Sequence, residues 1–134
     1  VRSMPEFARA AAANGSDIVS MINTIPAMAI DIETRRPKIA NITGGLSGPA
    51  VKPVAVKMVY ETARAVDIPI IGMGGIFSGE DAVEFLLAGA SAIAVGTAIF
   101  ADPLAPVKVL NGISAYLERH GCKSVTEIIG QVRV

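Results

Sequence analysis

The sequence predicts an α/β fold with buried parallel strands, and three observations carry that expectation. Short apolar, β-branched runs occur at residues 17–22, 68–73 and 91–95, each too short for an independent helix. Helical patterns lie between them, and every link is long enough for a crossover. Each run also ends in small or polar residues: Asn23-Thr24, Gly74-Gly75 and Gly96-Thr97. With 134 residues, 51% of them hydrophobic, and a mean hydropathy of +0.52, the chain gains enough from burial to fold around a core.

Residues 3–14 are alanine-rich, with Met4, Phe7, Ala8 and Ala11 at helical spacing and Asn14-Gly15 as a stop. The first strand follows. Residues 27–40 hold two short stretches around the charged tip 31–37, which predicts a hairpin inserted after that strand. The glycine-dense segment 44–49 reads as a loop opening a helix from about 52 to 66, with Pro53 in its first turn. Its apolar stripe comprises Val51, Val54, Ala55, Met58, Val59, Ala63 and Val66, and Lys57 pairs with Glu61 on the wet side. After the second strand, Ser78 with Asp81 three residues on predicts a capped helix over 80–88 that stops at Gly89. After the third, Asp102-Pro103 reads as the N-cap and first residue of a helix carrying Leu104, Val107, Leu110, Ile113 and Leu117 to Gly121. Ser124 and Glu127 form a last capping box.

Composition excludes several classes. Twelve basic and twelve acidic residues supply no basic surface for nucleic acid. Cys122 is the one cysteine and His120 the one histidine, so neither an internal disulfide nor a metal site of usual ligand spacing is expected. A reducing, cytoplasmic setting fits. The uncharged run 85–101 is interrupted by Gly89, Ser91, Gly96 and Thr97, which argues against a membrane span. No signal peptide is read at the start, and the first residue is Val1 rather than methionine, so a piece of a longer protein is expected.

In α/β proteins ligands lie beyond the carboxyl ends of parallel strands, so the three strand-end pairs are expected on one face. Glycine-bearing ends on successive strands suit a phosphate, since the backbone can come close and a helix N-terminus adds partial positive charge. For any single one of Gly74, Gly75 and Gly96, a tight turn is the simpler explanation; the repetition favours phosphate. Residues 44–48 are either a third contact or a hinge. Asn23 either reads an amide-bearing ligand edge or holds a turn. Cys122 and His120, near a helix end, read as structural and surface residues. No nucleophile–base pair is visible, so no catalytic residue is expected in this chain.

The strings Met21-Ile22-Asn23-Thr24, Ile30-Asp31-Ile32-Glu33-Thr34-Arg35-Arg36-Pro37, Ala40-Asn41-Ile42-Thr43-Gly44-Gly45-Leu46-Ser47-Gly48-Pro49-Ala50, Ile71-Gly72-Met73-Gly74-Gly75-Ile76 and Val95-Gly96-Thr97 resemble dihydroorotate dehydrogenases. The likeness is to the NAD-linked, two-subunit branch and covers essentially the whole chain. It implies the C-terminal portion of a (β/α)8 TIM barrel with parallel strands, this chain supplying the last three or so strand–helix units with the hairpin insertion at about 27–40. It further implies flavin-dependent oxidation of dihydroorotate to orotate in de novo pyrimidine biosynthesis. By matching position, Asn23 and Thr24 would bind the substrate ring, Ile22 and Gly48 would touch FMN, and Gly74, Gly75, Gly96 and Thr97 would hold its phosphate. The family's cysteine base and flavin-contacting lysine fall upstream, Cys122 does not match that base, and the chain alone is expected to be inactive. FAD and an iron-sulfur cluster would belong to an electron-transfer subunit linking a homodimer to NAD.

Two other readings fit the same glycine loops. One is a different phosphate-binding barrel enzyme. The other is a stand-alone, non-catalytic phosphate-binding module, whose open sheet edges would drive self-association.

Overall fold

The computed structural model describes residues 3–133. Helix α1 (Met4–Ala13) has proline in its first turn and ends at Asn14, after which Gly15 takes a φ of +90°. Strand β1 (Val19–Met21) follows. Four short strands come next: β2 (Ile25–Ala27), β3 (Ile30–Asp31), β4 (Arg36–Pro37) and β5 (Gly44–Leu46). A 3-10 turn, Pro49–Val51, leads into α2 (Lys52–Ala63). The chain continues through β6 (Ile70–Met73), α3 (Gly79–Ala88), β7 (Ala92–Ala94), α4 (Ala98–Ala101) and α5 (Ala105–Arg119), then a 3-10 turn, Val125–Glu127.

Strands β1, β6 and β7 form a parallel sheet in the order β1-β6-β7, as the alternation of apolar runs and helices predicts. Gly72 is its central point, opposite Met21 on one side and Ile93 on the other. A methyl there would stand 2.7 Å from Phe85 Cδ1, so the glycine lets the fully buried Phe85 of α3 lie directly on the sheet. Ala55 and Val59 of α2, Ile70 of β6 and Val109 of α5 complete the main core. A second cluster of Val83, Leu86 and Ile128 closes the C-terminal end, with Cys122 packed against it. Burying such side chains contributes about 1.5–3 kcal/mol each.

The insertion after β1 is larger than a hairpin over 27–40. Its tip pairs β3 with β4, Ile30 opposite Pro37 and Asp31 opposite Arg36, while its base pairs β2 with β5, Ile25 opposite Leu46 and Ala27 opposite Gly44. Part of the expected glycine loop is therefore strand. Pro26, Gly44 and Gly45 carry no β propensity, and the ladder there is a backbone matter. At the tip, Asp31 Oδ1 accepts N–H bonds from Glu33 (3.0 Å) and Thr34 (2.8 Å), which draws the strands closer to the turn than 28–30 and 38–40.

Two helix boundaries also differ from expectation. Helix α2 stops at Ala63, because the N–H groups of Ala65 and Val66 both turn back to Thr62 O. On its inner face Thr62 is fully buried, whereas Val54 is 38% exposed. Asp102 is extended rather than the last residue before a helix; its Oδ1 accepts from Leu104 N–H (3.0 Å) and its Oδ2 holds Lys108 Nζ (2.6 Å). Helix α5 then starts at Ala105 with proline in its first turn, which makes Pro106 and not Pro103 the helical one. Leu104, Val107 and Leu110 point outward, and Ala105 and Val109 are the buried positions.

The Ser78–Asp81 capping box forms as expected, and α3 ends at Gly89 with a φ of +118°. The Ser124–Glu127 box and the Lys57–Glu61 pair, 2.6 Å apart, form as well.

Candidate functional site

At the carboxyl ends of the three parallel strands lies a cleft of about 530 Å³. The first wall comes from β1. Its ladder runs one residue past the strand, Ile22 N–H donating to Met73 O at 3.0 Å, and the next two residues turn into the cleft. Asn23 Oδ1 accepts from Thr24 N–H at 2.7 Å and from the Thr24 hydroxyl at 3.4 Å. Among the described residues the other end of the Asn23 amide has no partner, which leaves two N–H donors facing solvent. Thr24 is itself fixed from behind, since the Cα of Gly45 packs directly against its side chain.

The second wall comes from β6. Gly74 (φ +127°) and Gly75 (φ +76°) both adopt backbone conformations that side chains rarely reach. A Cβ on Gly75 would lie 2.7 Å from Gly48 O and 3.0 Å from Lys52 N, so the loops after β6 and β5 touch backbone to backbone. Gly48 has a φ of +86°, and its carbonyl also accepts from Val51 N–H at 3.1 Å. The third wall, after β7, is Gly96-Thr97. Gly96 faces open space, and its carbonyl accepts from Ile99 N–H at 3.0 Å.

Ile22, Asn23, Thr24, Gly48, Gly74, Gly75, Gly96 and Thr97, singled out from the sequence, all line this one cleft. Among the described residues the backbone N–H groups of Gly74, Gly75, Gly96 and Thr97 have no protein acceptor, and none of the lining residues carries a charged side chain. Anion binding here would rest on aligned peptide dipoles. The helix after Gly96-Thr97 is a single turn, Ala98–Ala101, so the helix-dipole contribution expected there is small. Ser20, Leu46, Ser47 and Phe77 also line the cleft. Leu46 and Ser47, between Gly45 and Gly48, are the two of these that fall inside the glycine-dense segment.

One charged network stands just outside. Lys52 Nζ lies 2.6 Å from both Asp81 Oδ1 and Glu84 Oε1, and Asp81 Oδ2 accepts from the N–H groups of Phe77 (2.9 Å) and Ser78 (3.0 Å). Hydrogen bonds to Asp81 and then Glu84 hold the Lys52 ammonium above the usual lysine value. Burial pushes the Asp81 carboxyl up, but the bond from Lys52 and those from the Phe77 and Ser78 N–H groups outweigh it and leave it below the usual carboxylate range. The partners are 29 and 32 residues apart, so no local pattern announces them.

Cys122 and His120 lie elsewhere: the thiol is half-buried at the second cluster, 3.9 Å from His120 O, and the imidazole stacks on Tyr116 at 4.3 Å. Among the described residues no group of three or more His, Cys, Asp or Glu is placed to hold a metal, and no helix is long and apolar enough to cross a membrane.

Comparison with known proteins agrees with this geometry. The family described as dihydroorotate dehydrogenase matches residues 1–117. The chain is 60% identical over 134 residues to the dihydroorotate dehydrogenase B (NAD(+)) catalytic subunit of Bacteroides fragilis, covering all of this chain and 44% of that protein. It is 56% identical over 132 residues to the same-named subunit of Alkaliphilus metalliredigens, covering 98% and 44%. It thus spans less than half the length of these curated relatives. The crystal structure of the Eimeria tenella enzyme DHODH in complex with ferulenol superposes with a TM-score of 0.78 at 30% identity, over 96% of this chain and 34% of that one. The ligand-free form gives 0.79 at 30% identity, over 96% and 35%. With the family matched across most of its length and the parallel α/β fold shared, this chain belongs to the dihydroorotate dehydrogenase family.

Proposed function

We propose that this chain supplies the last three strand–helix units of a (β/α)8 barrel, and with them the FMN-phosphate site and part of the substrate site of an enzyme that oxidises dihydroorotate to orotate in de novo pyrimidine biosynthesis. One observation carries the reading: the residues that correspond to flavin and substrate contacts converge, from three strand ends and the loop after β5, on one cleft. FMN, when bound, supplies the acceptor for the hydride that leaves dihydroorotate.

The residues present suit that group. Gly74, Gly75, Gly96 and Thr97 offer unpartnered N–H donors to a phosphate, and the glycines keep the space beside those donors free of side chains. Ile22 and Gly48 offer apolar and backbone surface to the flavin ring. The Asn23 amide, with Thr24 beside it, donates to a substrate carbonyl and so orients the ring. Such a bond fixes which carbon faces the flavin, and the apolar wall of Ile22 and Val51 keeps water away.

No proton transfer is assigned to these residues. The base would come from outside residues 1–134, since Cys122 lies away from the cleft. The partner would be an electron-transfer subunit carrying FAD and an iron-sulfur cluster, joined to a homodimer and passing electrons to NAD. A cytoplasmic location accords with that chemistry, which needs a reducing compartment for the cluster.

The test is anaerobic titration of the complete protein containing this chain with dihydroorotate. Co-purified FMN whose absorbance bleaches on addition supports the proposal. A protein that holds no flavin, or whose flavin stays oxidised, overturns it.

A further inference from the structure

The flavin-site reading leaves one part of the molecule without a task. Lys52 is the residue after cleft-lining Val51, yet its ammonium points away to Asp81 and Glu84 of α3, 2.6 Å from each. A cation adjoining an anion site is thereby diverted from it. The diversion has a geometric result. Lys52 N and Cβ lie against Gly75, at 3.0 and 2.9 Å from where a Cβ would stand, and Gly48 O is at 2.7 Å. From the far side, Asp81 Oδ2 grips the N–H groups of Phe77 and Ser78. Gly48 and Phe77 both line the cleft. One continuous path therefore runs from the loop after β5, through Lys52 and Asp81, to the loop after β6. The side chains of Lys52 and Asp81 are 24% and 18% exposed, so their bond is shielded from solvent more than a surface pair is.

We propose that Lys52, clamped by Asp81 and Glu84, is a positioning residue for the phosphate subsite: it locks the Gly48 loop against the Gly75 loop, so that backbone N–H groups alone meet the anion at a fixed spacing. The proposal rests on the reading of the cleft as an FMN-phosphate site. It differs from a direct contact, because the lysine does not line the cleft and its ammonium is held by two carboxylates of α3. It differs from a general stability role, because the clamp fixes the loop that carries the Gly74 and Gly75 donors against the neighbouring Gly48 loop.

The experiment compares binding of FMN with binding of riboflavin, which has the same ring and no phosphate, to the complete protein by quenching of flavin fluorescence. For Lys52→Met and Asp81→Asn, FMN affinity is expected to fall by about tenfold or more, with riboflavin affinity, which feels only the Gly48 side of the clamp, falling by a clearly smaller factor. Lys52→Arg, which keeps both carboxylate partners, should restore most of the preference for FMN. Glu84→Gln removes only the outer carboxylate and leaves the Asp81 bonds in place, so it should fold like the parent and lose a smaller part of that preference, which keeps the proposal testable where Lys52→Met fails to fold. Equal losses for FMN and riboflavin, or an undiminished preference in all the variants, overturn the clamp. Failure of the unmodified protein to prefer FMN over riboflavin overturns the cleft reading itself, and is seen before any variant is made.

Discussion

Gly79 of α3 and Gly112 of α5 meet backbone to backbone: a Cβ added at Gly79 would stand 2.5 Å from Gly112 Cα, and one added at Gly112 would stand 2.7 Å from Gly79 Cα. The crossing brings α5 down onto the helix that opens just after the cleft loop. Ala at position 112 gains about 1 kcal/mol of helix propensity, but the methyl has only main chain to push against. The overlap outweighs the gain. We expect Gly112→Ala to destabilise the protein by about 1–3 kcal/mol, read as a lower denaturation midpoint; a raised midpoint would mean that the helices have room to part.

Gly75 and Gly96 separate fold from binding. At Gly75 both the positive φ and the contact with Gly48 O forbid a side chain, whereas at Gly96 nothing lies within 4 Å and φ is ordinary. Gly75→Ala should lower both thermal stability and FMN affinity. Gly96→Ala should fold like the parent and weaken FMN alone, because its methyl projects into the cleft. Unaltered FMN binding by Gly96→Ala would remove the third strand end from the phosphate site.

Asn23→Ala tests the substrate end. The lost amide is exposed, so its removal costs the fold little. A substrate group left without its hydrogen-bond partner costs about 1–3 kcal/mol, so kcat/KM for dihydroorotate should fall roughly tenfold to a hundredfold while flavin content stays full. Unchanged turnover would point to a different substrate for the same barrel.

The Lys52–Asp81 pair gives stability a defined pH window. The Asp81 carboxyl is lowered in the folded protein, so its contribution is present above the ordinary carboxylate value and is lost as pH falls through the lowered one. The Lys52 ammonium is raised, so its contribution is present below the ordinary lysine value and is lost as pH rises through the raised one. Between those limits the clamp contributes a constant amount. In Asp81→Asn the acid limb of the melting temperature against pH should flatten; an unchanged limb would show that other carboxylates govern it. Asp102 and Asp31 are also lowered, Asp102 first by its bond from Lys108 and Asp31 first by Thr34 N–H, but both are exposed and add little.

What the sequence made legible follows from how local each cause is. The capping boxes at Ser78 and Ser124 are decided within four residues, and the strand-end glycines announce themselves because the turn needs them. Helix starts with competing signals were harder. Asp102-Pro103 has the composition of a cap, yet the single turn of α4 sits just before it and Pro106 takes the helical position. The β2–β5 pair was hidden because Pro26, Gly44 and Gly45 bond through their backbone and display no side-chain pattern. Outward-facing Leu104, Val107 and Leu110 obey the helical period, but periodicity does not say which surface covers them. The eight residues that meet in the cleft were visible as short motifs and by family resemblance. The Lys52 clamp was not, because its ends meet only in three dimensions.

A cleft lined without a single ionised side chain has a consequence for how it responds to its medium. Surface lysines attract a phosphate from a distance and surrender that attraction to dissolved ions. Peptide N–H groups act only at contact, well inside a Debye length of about 8 Å at physiological ionic strength. The share of phosphate binding that these donors contribute should therefore change little with added potassium chloride.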